Sequence, residues 1–178
     1  MPATDNRRVF FALWPDQSLA EQLSRIAVKA QAACGGRLMR PDTLHLTLTF
    51  IGSVPVARID DLRRAASRVQ AQAIDFKLDR FGCWRHNGIV WAGASEPPAQ
   101  LQSLAGQLRA ALTEAGLPFD ARDFAAHVTL LRNARCAALP ELETITWSIE
   151  EFVLVESQRQ ATGATYALVE RWPLGAQR

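Results

Sequence analysis

Two kinds of hydrophobic pattern alternate along the chain: short runs of β-branched and large apolar residues, and longer stretches whose apolar positions recur every three or four residues. Arg7 to Leu13 (RRVFFAL) reads as a buried strand stopped by Trp14-Pro15. From about Asp16 to Ala33 the residues Leu19, Leu23, Ile26 and Ala30 keep helical spacing, Ser18 with Glu21 offers a capping box, and Gly35-Gly36 ends the helix. Arg37 to Arg40 predicts a short strand, and Pro41-Asp42 a turn into a strand through LHLTLTF that closes at Gly52. Leu62, Ala66 and Val69 mark one stripe of a second helix over Ile59 to Ala73. Ile74 to Trp84 and Ile89 to Ala94 predict a hairpin around Arg85-His86-Asn87-Gly88. A third helix over Pro97 to Ala115 ends at Gly116 and leads to a strand through AHVTLLR. An irregular stretch near 134 to 143 follows, then strands over Thr146 to Glu156 and Ala164 to Arg171 joined at Gly163.

One four-residue pattern occurs in two of these strands: His45-Leu46-Thr47-Leu48 and His127-Val128-Thr129-Leu130. The chain has three histidines and ten threonines, so two such histidine-threonine pairs would arise by chance about once in a hundred such chains. Strand alternation puts His45, Thr47 and Thr49 on one face and Leu46, Leu48 and Phe50 on the other; His127 and Thr129 likewise oppose Val128 and Leu130. Thirty residues separate Pro15 from His45, and thirty separate Pro97 from His127. In each half the order is strand, proline, helix, glycine, histidine strand. The expected fold is therefore α+β: two similar lobes of mostly antiparallel sheet with outer helices, related by a pseudo-twofold, the histidine strands facing each other across a central cleft. No Pro/Gly/Ser linker divides the halves, so residues 1–178 are expected to form a single bilobal domain.

Composition narrows the partners. Apolar residues make up 48% and the formal charge is +2, too near neutral for general coating of nucleic acid, although a local basic cleft remains compatible. Eighteen of the twenty basic residues are arginines, which suit bidentate phosphate contacts. Cys34, Cys83 and Cys136 are an odd number without a CxxC pair, which predicts buried thiols in a reducing compartment. The apolar run near the start is too short for a signal peptide, and no stretch is long enough to span a bilayer. The expectation is a cytoplasmic protein that does not engage membranes.

Two imidazoles facing one cleft suit a displacement in which one proton is taken and another given, because imidazole titrates near neutrality. Two hydroxyls beside them suit an anion held between, each donating to a non-bridging oxygen. Together they describe phosphodiester chemistry without a metal or other cofactor. No HExxH is present, and no Asp or Glu stands two residues from either histidine. The pattern alone leaves open which histidine is the acid. Arg132 is a candidate phosphate contact standing where the first copy has Phe50; strict alternation turns it away from His127, so it reaches the cleft only if the strand ends or bulges. Trp84, Trp91 and Tyr166 read as strand aromatics of the core, with base stacking as the competing role; His86 reads as an exposed turn residue.

RRVFFALWP, LHLTLTFIG, GIVWAG, AHVTLLR and FVLVES followed by Gly163, Tyr166 and WPL resemble the two-histidine phosphoesterases, and among them the bacterial and archaeal RNA 2′,3′-cyclic phosphodiesterases, also described as 2′-5′ RNA ligases. The resemblance runs from about Arg7 to Leu174. It implies hydrolysis of a cyclic phosphate at an RNA 3′ end, such as that of a tRNA fragment, to a 2′-phosphomonoester. It also implies His45 as proton donor and His127 as proton acceptor, with Thr47, Thr129 and Arg132 as substrate contacts; a monomer is expected. Ala126 departs from the family, which commonly has proline there. Two alternatives stay open: 2′-5′ ligation by the reverse reaction, and non-catalytic binding of RNA ends.

Overall fold

The computed structural model describes residues 5–175. Strand β1 (Asn6–Leu13) leads through Pro15 into helix α1 (Gln17–Cys34), then β2 (Arg37–Leu38), a 3-10 turn (Pro41–Thr43) and β3 (Leu46–Pro55). Helix α2 (Ile59–Ala66), strands β4 (Ile74–Leu78), β5 (Arg80–Trp84) and β6 (Ile89–Gly93), and helix α3 (Ala99–Glu114) follow. Strands β7 (Val128–Arg132), β8 (Ile145–Ile149), β9 (Glu151–Gln160) and β10 (Gly163–Pro173) complete the chain. One sheet has the order β10-β9-β1-β3, a second β2-β7-β6-β5, and a two-stranded ribbon pairs β4 with β8; every strand pairing is antiparallel.

The expected repeat is visible in the strand orders. β9-β1-β3 in the first sheet corresponds to β5-β6-β7 in the second, and each β-to-β step, β4 to β5 and β8 to β9, passes through a single residue, Asp79 or Glu150. The predicted strands over 74 to 84 and 146 to 156 are thus each divided in two. At the first break the Asp79 carboxylate accepts from the Ser95 amide (2.7 Å) and hydroxyl (3.0 Å), turning the chain from the ribbon into its own sheet. Helix α2 stops seven residues short of expectation, because the segment after it is drawn to the chain's far end: Gly175 donates to the Ala71 carbonyl and accepts from Ala73. Helix α1 is capped two residues earlier than the predicted box, with Asp16 accepting from the Leu19 amide at 2.8 Å. The cysteines differ from expectation: Cys34 and Cys136 form a disulfide and only Cys83 is a free thiol. Pairing of β2 with β7 brings the end of α1 beside the segment after β7, a proximity that a separation of 102 residues conceals.

The main core lies between the sheets and the helices. Along β1, Val9, Phe11 and Leu13 enter it; the intervening Phe10 and Ala12 join Val153 and Val155 of β9 in a small apolar floor on the opposite face of the first sheet. Leu46, Leu48, Val128 and Leu130 are each at most 1% exposed. Burial of each such side chain stabilises by about 1.5–3 kcal/mol, several times thermal energy, so slippage of either histidine strand by one residue is prohibited.

Both histidine strands break alternation at the same point. Phe11 faces Thr49 and Ala12 faces Thr47, leaving Leu48 without a partner in the ladder; Trp91 faces Thr129 and Val90 faces Leu131, leaving Leu130 without one. Two successive residues are therefore buried in each strand, Leu48-Thr49 and Leu130-Leu131, and the following residue, Phe50 or Arg132, returns to the cleft face. The bulges correct two expectations: Thr49 is buried and does not line up with Thr47 beside the histidine, and Phe50 does not accompany Leu46 into the core. Thr49 is 1% exposed and its hydroxyl has no hydrogen-bond partner, whereas its counterpart Leu131 is apolar. Thr49→Val, which removes a buried unsatisfied hydroxyl at nearly constant shape, is expected to stabilise the fold by about 1 kcal/mol. The check is the urea midpoint at unchanged m-value; a lower midpoint would mean that the hydroxyl is bonded.

Candidate active site

His45, Thr47, His127, Thr129 and Arg132 all line one cavity of about 350 Å³ between the two sheets, a volume within the range of small-ligand sites. All five residues expected from the sequence are brought together. Each histidine directly precedes its strand, and each makes the same hydrogen bond: His45 Nδ1 to the Thr43 carbonyl and His127 Nδ1 to the Ala125 carbonyl, both 2.7 Å. A carbonyl only accepts, so Nδ1 carries the proton and the neutral ring keeps its lone pair on Nε2. The geometry is equal in the two copies, so alanine at 126 is compatible with it. Thr43 is itself fixed, its hydroxyl donating to the Arg40 carbonyl at 2.8 Å.

The rings differ in their surroundings. His45 stacks on Trp14 with centroids 5.1 Å apart and planes 2° from parallel, and Phe10 (5.0 Å) and the edge of Tyr166 (5.3 Å, 78°) enclose it further. His127 meets Trp84 (4.6 Å, 72°) and Trp91 (6.4 Å, 66°) nearly at right angles. Trp91 lies against Gly82, where a Cβ would stand 2.0 Å from the indole ring, so only glycine admits this placement. Burial pushes the His45 pKa down to about 4, outweighing its carbonyl bond, with the charges of His127 and Arg132 adding to the depression. Burial lowers that of His127 as well.

Other wall residues had weaker signals in the sequence. Arg8, Ser157 and Arg159 join the cavity because β9 pairs with β1, a pairing between distant segments that no local pattern announces. Tyr166 also lines it, and Trp84 and His86 line a second chamber that shares Thr47, Phe50, Ile89 and His127 with the first. Among the described residues no group of three His, Cys, Asp or Glu side chains is placed to hold a metal ion, and no helix is long and apolar enough to cross a membrane.

A pair of antiparallel half-folds, each presenting one imidazole and one hydroxyl to a shared cavity, defines a two-histidine phosphoesterase architecture. The family model "LigT like Phosphoesterase" matches residues 13–91 and 93–166, one segment in each half, and the chain belongs to that family. It is 31% identical to the RNA 2′,3′-cyclic phosphodiesterase of Escherichia coli strain K12, over 96% of this chain and 98% of that one. It is 28% identical to the protein of the same name from Thermus thermophilus, over 94% and 90%. The crystal structure of E. coli LigT complexed with 3′-AMP matches with a TM-score of 0.86 and 32% identity, covering 96% of this chain and 99% of that one.

The depressed histidine pKa makes stability pH-dependent. An unfolded histidine titrates near 6.5 and folded His45 near 4, so the unfolded chain binds the extra proton between those values and stability falls as pH drops through that window. The difference amounts to roughly 3 kcal/mol at its full extent. His45→Gln is expected to flatten the pH dependence of the urea midpoint between pH 6.5 and 4 relative to the native chain. Identical slopes in the two proteins would contradict a depressed His45.

Proposed function

We propose that the protein hydrolyses 2′,3′-cyclic phosphate ends of RNA to 2′-phosphomonoesters by a two-histidine acid-base mechanism, acting as a single bilobal domain and a monomer. The observation that carries the reading is the convergence of two imidazoles, two threonines and Arg132 on one cavity. The names of the E. coli and T. thermophilus relatives support the substrate class. In this reading the substrates include fragments of tRNA and the compartment is the cytoplasm; the Cys34–Cys136 bond removes the cysteine argument for that compartment.

Thr47 and Thr129 donate to the non-bridging oxygens and Arg132 neutralises the anion. His127 Nε2 takes a proton from water, whose oxygen attacks phosphorus; the P–O3′ bond breaks and His45 gives its proton to the departing 3′ oxygen, leaving phosphate on O2′. The assignment of donor and acceptor rests on the family resemblance. With a pKa of about 4 the unliganded His45 is neutral at pH 7. The acid form therefore arises when the phosphate anion enters and raises that pKa, so substrate binding takes up a proton.

Purified protein incubated in EDTA with a short RNA ending in a 2′,3′-cyclic phosphate is expected to yield the 2′-phosphate with a bell-shaped pH profile. His45→Ala and His127→Ala are each expected to lower kcat by about 10² to 10⁴-fold. A 3′-phosphate product, loss of activity in chelator, or full turnover by His127→Ala would each refute the assignment.

A further inference from the structure

The catalytic cavity carries more positive charge than one cyclic phosphate uses. Its wall holds Arg8, Arg132 and Arg159 and no carboxylate. The ion pairs of the described residues all engage other arginines. A 2′,3′-cyclic phosphate bears a single negative charge, which Arg132 on β7 and the two threonines already match. The remaining pair stands on the opposite wall. Arg8 of β1 faces Ser157 of β9 in the ladder, and Arg159 follows Ser157 by two residues on the same face. The Arg8 guanidinium lies 4.6 Å from the centroid of the Phe50 ring, which orders it over the cavity. Phe10, whose ring packs on His45, stands two residues from Arg8 along β1, a separation of roughly 7 Å that puts Arg8 next to the reaction centre on the same face of the strand.

The second chamber has a different character. Its arginines, Arg109 and Arg122, are accompanied by Asp120 and Asp123, and Arg122 is tied to Asp120 through Nε at 2.8 Å. One arm of the cleft is thus free cation and the other is balanced. A polyanion leaving the reaction centre is drawn into the first.

We propose that Arg8 and Arg159, with Ser157 between them, form a second phosphate site that takes the 5′-linked phosphodiester of the terminal nucleotide. The preferred substrate is then a cyclic nucleotide that carries a 5′-phosphate group, as the last nucleotide of an oligonucleotide does. This site rests on the cyclic phosphodiesterase reading above and refines it.

The test compares kcat/KM for three substrates: a nucleoside 2′,3′-cyclic phosphate, the same compound with a 5′-phosphate, and a dinucleotide ending in that cyclic nucleotide. The native protein is expected to favour the second and third over the first by about ten-fold, mainly through KM, as befits one charged contact. Arg8→Gln and Arg159→Gln are each expected to bring that ratio towards one and to weaken the salt dependence of KM for the dinucleotide. Arg122→Gln, in the balanced arm, is expected to keep the native ratio. A native ratio near one, or a ratio retained by both Arg8→Gln and Arg159→Gln, would overturn the second site while leaving the activity standing. Turnover of none of the three substrates would instead overturn the cyclic phosphodiesterase reading and the site with it.

Discussion

The site depends on a paired defect in strand alternation. A regular strand that buries the residue after Thr47 or Thr129 would also bury the third residue after that threonine, sending Phe50 and Arg132 into the core. The extra residue at Leu48 and at Leu130 resets the alternation in both strands, so that three positions in six, those of histidine, threonine and the closing residue, reach the cavity. Because the bulge recurs at the equivalent place, the two strands present corresponding positions to the cavity, and the side chains at those positions differ in chemistry at the closing residue. There an aromatic ring and a guanidinium face the same space, and the ring of Phe50 in turn supports the Arg8 guanidinium.

Much of this was legible because it is local. The histidine-threonine pairs, the proline-to-histidine spacing, the three helices and the α+β class follow from residue type and periodicity, and the structure and the family match support them. What stayed hidden depends on partners distant in sequence. The broken strands at Asp79 and Glu150 turn where one sheet meets another, and a single residue separates the two apolar runs at each corner. The disulfide required knowing that β2 pairs with β7. Arg8 and Arg159 sit in ordinary strand alternation and acquire meaning only when β9 is laid beside β1. The bulge was legible as a condition on Arg132 rather than as a feature in its own right.

Enclosure of the histidines carries an electrostatic tension. Aromatic walls that fix the His45 ring also remove water from it and disfavour its charged form, and Arg132 disfavours it further. The site is therefore set for an anion before any anion arrives: neutral imidazoles with free Nε2 atoms and uncompensated guanidiniums. Charge on the ligand relieves that state, which couples recognition of phosphate to readiness for proton transfer.

The order of strands in the first sheet has a consequence for biosynthesis. Of the two neighbours of β1, β3 follows it closely in synthesis, whereas β9 is made after more than a hundred further residues, and β10 later still. Until then Phe10 and Ala12 lack Val153 and Val155 to cover them, and the Tyr166 wall of the His45 enclosure does not exist. The nascent chain can assemble the β5-β6-β7 ladder while β1 still has an open edge, a state exposed to wrong strand pairing and to holding chaperones. Completion of the surroundings of His45 thus waits for β9 and β10, long after the histidine strand itself has been made.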